Sequence, residues 1–415
     1  PLPAAPLPRG AAFTAEPKNA LTRATAGQAE VLRALSHPDA NDETSRAAGG
    51  LLFEGSAPVG EGDDSVLSGV GEPVGPGQGA RLAPHGGSLK GKTLLYVVSR
   101  LGGRDYLYDR MIELSKEYGF EMLVLGYPDQ KDHALSRGVK AENYIAADIG
   151  NHSPENLQAI VERIRDLSRS RRIDAVKTFL NAFAQLEAEL AKELGVPGHA
   201  PEAVSAAHSK IQAREKMNAY PDAGLHLPAF QVRSPEQARE AFLKIRAAGF
   251  DKSVAKPNSG GGGWGVTLDI DSPDAAEAAF RAIQEKIEAI VSEDPRKAQG
   301  KQLDTKPAVL FEAQIPDGLM VDVEIVVREG HPVFTSVSYN PPALGNQERG
   351  TSYGLRLPPE MEELARGQAL KSLDAVGLKN GNAHVESILT LIGGKLAAPI
   401  VEINARMGGA DIWAS

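Results

Sequence analysis

The chain has 415 residues, of which 42% are hydrophobic and 24% charged, and it carries a formal net charge of -9. This is the composition of a soluble globular protein long enough for two or three domains. The mixed, net acidic charge forms no basic stripe, which argues against nucleic-acid binding. Because the chain has no cysteine, disulfides, thiolate nucleophiles and cysteine metal sites are excluded. Any catalysis must use oxygen groups, nitrogen groups or a hard metal ion.

Neither a membrane span nor a signal peptide is expected. The sequence contains no run of about 18 apolar residues and no basic-then-apolar amino terminus, so it predicts a cytoplasmic protein without membrane contact. Residues 1–90 are rich in Ala, Gly and Pro and carry little apolar material to offset the entropy of ordering. They predict a disordered or low-complexity tail.

From residue 91 the pattern changes to strands and helices in turn. The predicted strands are "TLLYVVS", "EMLVLGY" and "DAVKTFL", and the predicted helices are "YLYDRMIELSKEYG", "ENLQAIVERIRDLSRS" and "AQLEAELAKELG". Strict alternation predicts a parallel sheet, so residues 91–200 are predicted to form a doubly wound, Rossmann-like α/β domain. Its first turn, "SRLGGRD", lacks a dinucleotide-binding fingerprint and is typical of an ordinary turn, with a substrate contact as the alternative.

The rest of the chain predicts an α+β domain of two lobes, residues 201–270 and 271–415. A helical stretch "PEAVSAAHSKIQAREKM" is followed by the strand "AFQVR", the helix "PEQAREAFLKIRAAG" and the strands "KSVAKP" and "VTLDI". A helix over 273–293 then precedes strands at 308–313, 321–328 and 332–338, a helix near 360–376 and the strands "NAHVESILTL" and "APIVEINAR". Strands and helices that mix without strict alternation are typical of this class.

The loop "NSGGGGWG" contains the four consecutive glycines Gly260, Gly261, Gly262 and Gly263. Such a backbone can present several N–H groups to an anion and approach it closely. A strand rather than a helix follows the loop, which excludes a dinucleotide fingerprint, and no Gly-Lys-Ser/Thr ends it, which excludes a Walker loop. The loop therefore predicts a flap over nucleotide phosphates, with a plain hairpin loop as the alternative. Lys256 ends the strand before the loop, where its ammonium could reach a bound phosphate.

Two acidic residues interrupt apolar strands near the end of the chain. Glu386 lies in "AHVESIL" and Glu402 in "IVEINAR", with Asn404 two residues on and on the same face of its strand. Since carboxylates are rarely buried unpaired, these oxygens predict a Mg²⁺ site, and the alternative is a pair of carboxylates bound to Lys or Arg. The neighbouring His384 is interpreted as structural and left out of the site. Arg406 could hold a carboxylate or phosphoryl group by a bidentate contact.

Two glycines follow the arginine. Gly408 and Gly409 would let a substrate approach the backbone closely. The segment "SVSYNPPALGNQERGTSYGLRLP" is the expected pocket-lining loop, with Arg356 as a candidate substrate contact.

These segments, in this order, resemble the ATP-grasp superfamily and, within it, the carboxylate–amine ligase branch of L-amino acid ligases and carnosine synthases. The resemblance runs from about residue 92 to the end. It implies that Lys210, in "SKIQAREKM", and Lys256 bind ATP phosphates, and that Glu312, in "LFEAQI", precedes an adenine hinge. The hinge residues implied are Ala313 and Ile315. Glu324, in "VDVEIVV", is implied as a ribose or lobe contact.

The resemblance also implies roles for the last two strands. Glu386, Glu402 and Asn404 correspond to ligands of Mg²⁺ or Mn²⁺, and Arg406 corresponds to the clamp on phosphate or substrate. Such ligases usually continue beyond these glycines, so the second lobe is expected to be truncated at its carboxyl end.

The implied activity is that of an ADP-forming ligase. ATP would phosphorylate a carboxylate to an acyl phosphate, and an amine would attack it to give an amide or dipeptide. The expected partners are small-molecule carboxylates and amines, amino acids above all, with ATP and magnesium. Two alternatives stay open: an ATP-grasp enzyme of another branch, such as a carboxylase or a nucleotide-biosynthesis ligase, and a non-catalytic ATP-binding protein. The sequence does not fix the oligomeric state, and a homodimer is one expectation.

Overall fold

The structure is a computed structural model that describes residues 89–99, 106–293, 308–340 and 357–408. Its strands are β1 (Thr93–Val97), β2 (Glu121–Gly126), β3 (Tyr144–Ala146), β4 (Ala175–Lys177), β5 (Ala229–Val232), β6 (Ser253–Pro257), β7 (Thr267–Ile270), β8 (Val309–Ala313), β9 (Leu319–Arg328), β10 (His331–Asn340), β11 (Gly381–Ile392), β12 (Lys395–Ala397) and β13 (Ile400–Asn404). Its helices are α1 (Tyr106–Tyr118), α2 (Lys131–Ser136), α3 (Pro154–Ser168), α4 (Ala184–Leu194), α5 (Pro201–His208), α6 (Lys210–Ala219), α7 (Pro235–Ala247), α8 (Pro273–Glu293) and α9 (Pro359–Val376). The predicted tail of residues 1–90 lies outside these ranges except for its last two residues.

The first domain is built on a parallel sheet with the strand order β3-β2-β1-β4. Leu95 and Tyr96 of the central β1 are fully buried although they point to opposite faces, because helices cover both sides. The helix boundaries follow local chemistry: Ser153 caps α3 by accepting from the Asn156 N–H, and Gly195 ends α4 with a left-handed φ of 63°. The predicted parallel sheet is confirmed.

A small lobe follows, in which a four-stranded antiparallel sheet has the order β5-β8-β6-β7. The helices α7 and α8 pack on this sheet around Phe242, Phe280 and Phe311. The sequence predicted a lobe boundary at residue 270, and the sheet does not support it. Since β8 lies between β5 and β6, the small lobe extends to Ala313.

A large lobe carries the remaining strands. In its sheet β11 pairs with β9 along one edge and with β13 and β12 along the other, and β10 pairs with β9. The helix α9 covers one face, where Val321, Val323 and Val385 are fully buried. The opposite face of the same strands is polar, which positions the candidate site.

The helices α5 and α6 belong to the core of this large lobe, not to the small lobe that the sequence assigned to them. Val204 and Met217 pack in the same apolar cluster as the strands of the large sheet. The predicted single helical stretch is broken at Ser209, whose extended backbone lets its hydroxyl accept from the Gln212 N–H and cap α6. Lys210 therefore stands at the first position of a helix. Among the helices of the described ranges, none is both long and apolar enough to cross a membrane.

His199 connects the first domain to the large lobe. Its Nε2 donates to the Asn382 carbonyl at 3.0 Å and its Nδ1 accepts from the Asn380 N–H at 3.2 Å, so both ring nitrogens are used by the neutral tautomer. Burial and the charge of Lys177 lower the pKa of His199 to about 4, although the Asn382 hydrogen bond opposes this shift.

We therefore predict that His199 makes folding sensitive to acid. Because its folded pKa lies below the ordinary value of about 6.5, the unfolded chain binds more protons between these values, and stability falls as the pH drops. Urea unfolding near pH 7 and near pH 4.5 should show a loss through this residue of up to about 3 kcal/mol. The variant His199→Gln should depend less on pH. An equal pH dependence in the two proteins would contradict the prediction.

Candidate functional site

The predicted metal ligands lie together on the polar face of the large sheet. Glu386 on β11 stands opposite Glu402 on β13, and Asn404 is two residues further along β13, so it projects to the same face. On the other edge of β11, Asp322 of β9 stands opposite Glu386. The face therefore carries a line of three carboxylates on neighbouring strands.

Each predicted carboxylate ligand contacts a basic group. Glu402 Oε1 accepts from Lys210 Nζ at 3.1 Å, and Glu386 Oε1 lies 3.4 Å from His384 Nε2. The alternative interpretation of the sequence, a carboxylate paired with lysine, thus describes Glu402 in this structure. Within the described residues, the Oε2 atoms of Glu386 and Glu402 have no hydrogen bond, so each carboxylate keeps one oxygen for a further contact.

His384 is buried between two carboxylates. Its Nδ1 donates to Glu324 Oε1, and Glu324 Oε2 accepts from the Gly408 N–H at 2.9 Å. Burial lowers the pKa of His384, but the hydrogen bonds and charges of Glu324 and Glu386 outweigh it and raise the pKa to about 10. The pKa of Glu386 is lowered, because the His384 hydrogen bond and charge and the charges of nearby cations outweigh burial. His384 is satisfied structurally, as the sequence predicted, and it also positions Glu386.

The glycine loop joins β6 to β7, which pair as antiparallel strands. Lys210 Nζ donates to the Gly260 carbonyl at 2.6 Å, and Asn258 at the start of the loop is held against the first turn of α6 by Ser209 and Ile211. The loop is therefore fixed at its base to the helix that carries Lys210.

The backbone of the loop requires glycine at several positions. Gly260, Gly262 and Gly263 have φ values of 108°, 65° and 67°, a region that other residues rarely adopt. Gly261 does not need that conformation. The tip of the loop, at Gly261 and Gly262, is exposed to solvent. A backbone of this kind can present N–H groups to an anion.

Lys256 and Glu312 meet at the junction of the two lobes. Lys256 Nζ lies 2.6 Å from Glu312 Oε1 and donates to the Val401 carbonyl of β13 at 3.3 Å. Arg214 Nε donates to Glu312 Oε2 at 2.8 Å, and its Nη2 donates to the Ile400 carbonyl at 2.6 Å. Burial would raise the pKa of Glu312, but the charges and hydrogen bonds of Arg214 and Lys256 outweigh it and lower the pKa.

A small cavity lies where these groups converge. Its lining includes four residues predicted from the sequence, Lys210, Lys256, Glu312 and Glu402. They come from α6, β6, β8 and β13, so four separate parts of the chain build one cleft between the lobes.

The chain is similar in sequence to carnosine synthases. No family model matches the chain. Human carnosine synthase 1 is 26% identical over 331 residues, which are 77% of this chain and 37% of that protein. Chicken carnosine synthase 1 is 27% identical over 328 residues, which are 77% of this chain and 33% of that protein. The chain thus spans about a third of the length of these relatives.

Solved structures decide the fold. An L-amino acid ligase from Bacillus licheniformis is similar with a TM-score of 0.54 and 17% identity, over 78% of this chain and 69% of that chain. An N5-carboxyaminoimidazole synthetase from Staphylococcus aureus, complexed with ADP, is similar with a TM-score of 0.55 and 17% identity, over 79% of this chain and 74% of that chain. The chain has the ATP-grasp fold. The predicted fold class, a parallel-sheet domain followed by two ATP-grasp lobes, is confirmed.

The remaining predicted residues differ in how the structure places them. Ala313 is buried at the end of β8, where its N–H donates to the Pro228 carbonyl at 2.8 Å, and Ile315 is half-buried just beyond. Glu324 uses both carboxylate oxygens inside the large lobe, so this structure does not bring it to the cavity lining. Arg356 and Gly409 lie outside the described residues.

Arg406 lies close to the line of three carboxylates on the large sheet. Its Nη1 donates to the Met407 carbonyl at 2.7 Å, and its charge acts on both Glu386 and His208. Burial, with the nearby charges of Lys210 and Arg406, lowers the pKa of His208 to about 4. His208 Nε2 instead contacts Asn181 Oδ1 of the first domain at 2.9 Å.

Sequence reasoning missed two residues that organise the cleft. The sequence predicts only that Arg214 lies in a helix, and the structure shows that its guanidinium joins Glu312 to the large sheet. The sequence predicts only that Asn258 begins the glycine loop, and the structure shows that its side chain and carbonyl hold the loop to α6. Arg214 lies on the buried side of α6, but the sequence does not show this. The apolar residues of α6 mark no clear face, so the pattern does not reveal which side of the helix is buried.

We predict that Arg214→Met lowers stability by about 3 kcal/mol, because it leaves Glu312 buried with one cation fewer and breaks a bond between the lobes. Both side chains of the Arg214–Glu312 pair are at most 3% exposed. The matched control is Arg246→Met, which breaks an ion pair with Asp251 whose side chains are 47% and 93% exposed. The control should change stability by less than about 1 kcal/mol. Urea unfolding of both variants measures this, and equal effects would contradict it.

Proposed function

We propose that this chain carries the nucleotide site of an ATP-dependent ligase that joins a carboxylate to an amine and releases ADP and phosphate. The observation that carries the proposal is the convergence of Lys210, Lys256 and Glu402 in one cleft, beside a glycine loop that is anchored to Lys210. Lysine ammonium groups and loop N–H groups suit phosphate oxygens. Carboxylates in the same cleft suit the cation that accompanies ATP.

The ion pairs of the cleft would be exchanged when ATP binds. Lys210 now contacts Glu402, and Lys256 contacts Glu312. In the proposed complex each lysine contacts a phosphate oxygen, and Glu402 binds the metal ion in place of Lys210. Glu312 keeps Arg214 as a partner throughout. The buried carboxylate therefore stays neutralised, so Lys256 can move without leaving an unpaired charge in the interior.

The donor set fits a magnesium ion. In the described part of the chain, no cluster of three or more His, Asp or Glu side chains could hold a metal by itself. Glu386 and Glu402 instead stand opposite each other on neighbouring strands, and Asn404 lies on the same face. Together they offer two carboxylates and an amide oxygen. This suits Mg²⁺, which commonly takes one or two carboxylates and completes its octahedron with phosphate oxygens and water. When bound there, the ion would neutralise phosphate charge.

The other residues would position the reacting groups. The guanidinium of Arg406 would hold the carboxylate or phosphoryl group next to Glu386, and the N–H groups of the glycine loop would fix the phosphates. His384, charged and held by Glu324, keeps the Glu386 carboxylate in place. The hinge assigned to Ala313 and Ile315 would bind adenine through the backbone at the end of β8.

The relatives favour an amide-forming ligase. Those that match by sequence are named carnosine synthases, and one solved structure with the same fold is named an L-amino acid ligase. The test is a phosphate-release screen of amino acids and other small carboxylates in pairs, with ATP and magnesium. We expect ADP release that requires both a carboxylate and an amine. ADP release that is independent of the amine would contradict this function.

A second candidate is a carboxylase-type activity. The carboxyaminoimidazole synthetase structure is as similar in fold as the amino acid ligase, with TM-scores of 0.55 and 0.54. Replacing the amine by bicarbonate in the same screen separates the two. ADP release that depends on bicarbonate would favour the carboxylase, and ATP binding without turnover in any combination would favour a non-catalytic protein.

A further inference from the structure

A second polar group extends from the line of three carboxylates toward β10, and Asp322 belongs to both. Asp322 of β9 pairs in register with Ser338 of β10, and Asn340 follows two residues later on the same face. The three residues are 3%, 5% and 5% exposed. Asn340 Nδ2 donates to Asp322 Oδ2 at 2.8 Å, which fixes the two side chains relative to each other.

Three oxygens of this group have no hydrogen-bond partner among the described residues. Asp322 Oδ1, Asn340 Oδ1 and Ser338 Oγ are buried, and none of them has a hydrogen bond within the part of the chain that the structure describes. A buried polar atom without a partner costs free energy, and native proteins contain few such atoms. Three on one face of one sheet, next to the candidate site, indicate a ligand that supplies hydrogen-bond donors.

The chemistry of the three oxygens selects the kind of donor. One belongs to the Asn340 amide and can only accept, one belongs to Asp322, whose oxygens accept when the side chain is ionised, and the serine hydroxyl can accept as well. A primary ammonium has three N–H donors and no acceptor. It would satisfy all three oxygens and bring a positive charge to the carboxylate.

The position of the group relates it to the reacting centre. Asp322, Glu386 and Glu402 stand opposite one another on adjacent strands, and such neighbours are about 4.5–5.5 Å apart. An ammonium at Asp322 would lie about one strand spacing from Glu386. A small molecule could therefore place its ammonium at Asp322 and its carboxylate near Glu386 and Arg406.

We propose that Asp322, Asn340 and Ser338 form a subsite for the ammonium group of the substrate whose carboxylate is activated, which makes that substrate an amino acid. The inference rests on the proposed function. The subsite goes beyond the proposed function because it assigns a substrate class to particular residues. These residues lie outside the nucleotide and metal groups. Ammonium recognition here would reject carboxylates that lack an amino group, because the three oxygens would stay buried without donors.

The test compares amino acids with their amine-free counterparts. Isothermal titration of the full chain, with magnesium and a non-hydrolysable ATP analogue present, measures glycine against acetate, L-alanine against propionate and 4-aminobutyrate against butyrate. For at least one pair, the wild-type protein should bind the amino acid about ten- to a hundredfold more tightly. Asp322→Asn should reduce that ratio to near one, and Ser338→Ala should reduce it partly.

Controls separate this subsite from the nucleotide site. Asp317→Asn, at an exposed position before β9, should leave the ratio unchanged. Affinity for the ATP analogue should stay within about twofold in all three variants. Equal binding of each pair, no binding of any member while the analogue is bound, or discrimination that survives in Asp322→Asn would overturn the subsite and leave the nucleotide site standing. Failure of the analogue to bind would overturn the proposed function itself. If Asp322→Asn does not fold, Ser338→Ala decides the question alone.

Discussion

Replacing Lys256 with methionine should reduce substrate-dependent ADP formation by about a hundred- to a thousandfold, the usual effect of removing one preorganised charge-stabilising donor. Lys256 Nζ lies 2.6 Å from Glu312 and 3.3 Å from the Val401 carbonyl, where the small and large lobes meet. Methionine keeps most of the length and apolar contact of lysine but cannot neutralise a phosphate. Steady-state ADP release, with magnesium and a substrate pair accepted in the screen, measures the effect.

The matched control is Lys252→Met, just before the same strand. Lys252 forms an ion pair with Asp269 at 2.7 Å, and the two side chains are 50% and 63% exposed. Removing it should change turnover by less than about twofold, because exposed pairs contribute little. In Lys256→Met the Glu312 carboxylate keeps Arg214, so circular dichroism should show a folded protein. Normal turnover in Lys256→Met, or an equal loss in Lys252→Met, would contradict the assigned role.

Local sequence pattern predicted most of the secondary structure, and the errors of that prediction have local causes. The helix over 273–293 was predicted to the residue, because its apolar positions recur at helical spacing over 21 residues. The break at Ser209 was missed, since the spacing of apolar residues continues across it. The strands β3 and β12 were missed as well, because each has only three residues and takes its hydrogen bonds from a neighbouring strand.

The lobe boundary failed for a different reason, because it depends on strand pairing across long sequence distances. β8 inserts between β5 and β6 although a helix of 21 residues separates it from β7. Nothing in the composition of β8 specifies which sheet it joins. In the same way, the apolar faces of α5 and α6 suit either lobe, and only the assembled core shows that they pack on the large sheet.

In the candidate site, too, the sequence predicted the features that depend on local pattern and not those that depend on long-range contacts. Residue type and strand alternation predicted that Glu402 and Asn404 share a face, and the register places Glu386 opposite Glu402. The contact of Lys210 with Glu402 spans 192 residues of sequence, and that of Arg214 with Glu312 spans 98. Such contacts are set by how the lobes close on each other, so local pattern could not predict them.

Replacing Glu402 with glutamine should have the second large effect, lowering ADP formation by about a hundredfold or more. Glutamine retains the shape and still accepts a hydrogen bond from Lys210, but it removes the negative charge that the proposed magnesium site needs. The magnesium concentration for half-maximal activity should rise at least about tenfold, as expected when a ligand charge is lost. Glu285→Gln, on the exposed side of α8, is the matched control and should leave both quantities unchanged.

A purely structural role for Glu402 predicts something else. If Glu402 served only to pair with Lys210, the variants Glu402→Gln and Lys210→Met would act alike, through the same contact at 3.1 Å. If it binds the cation, the two variants separate: Glu402→Gln changes the dependence on magnesium, whereas Lys210→Met raises the KM for ATP and leaves the magnesium dependence near that of the wild-type protein. Measuring both dependences in both variants therefore distinguishes an ion pair that merely joins the lobes from one whose members exchange partners when the nucleotide binds.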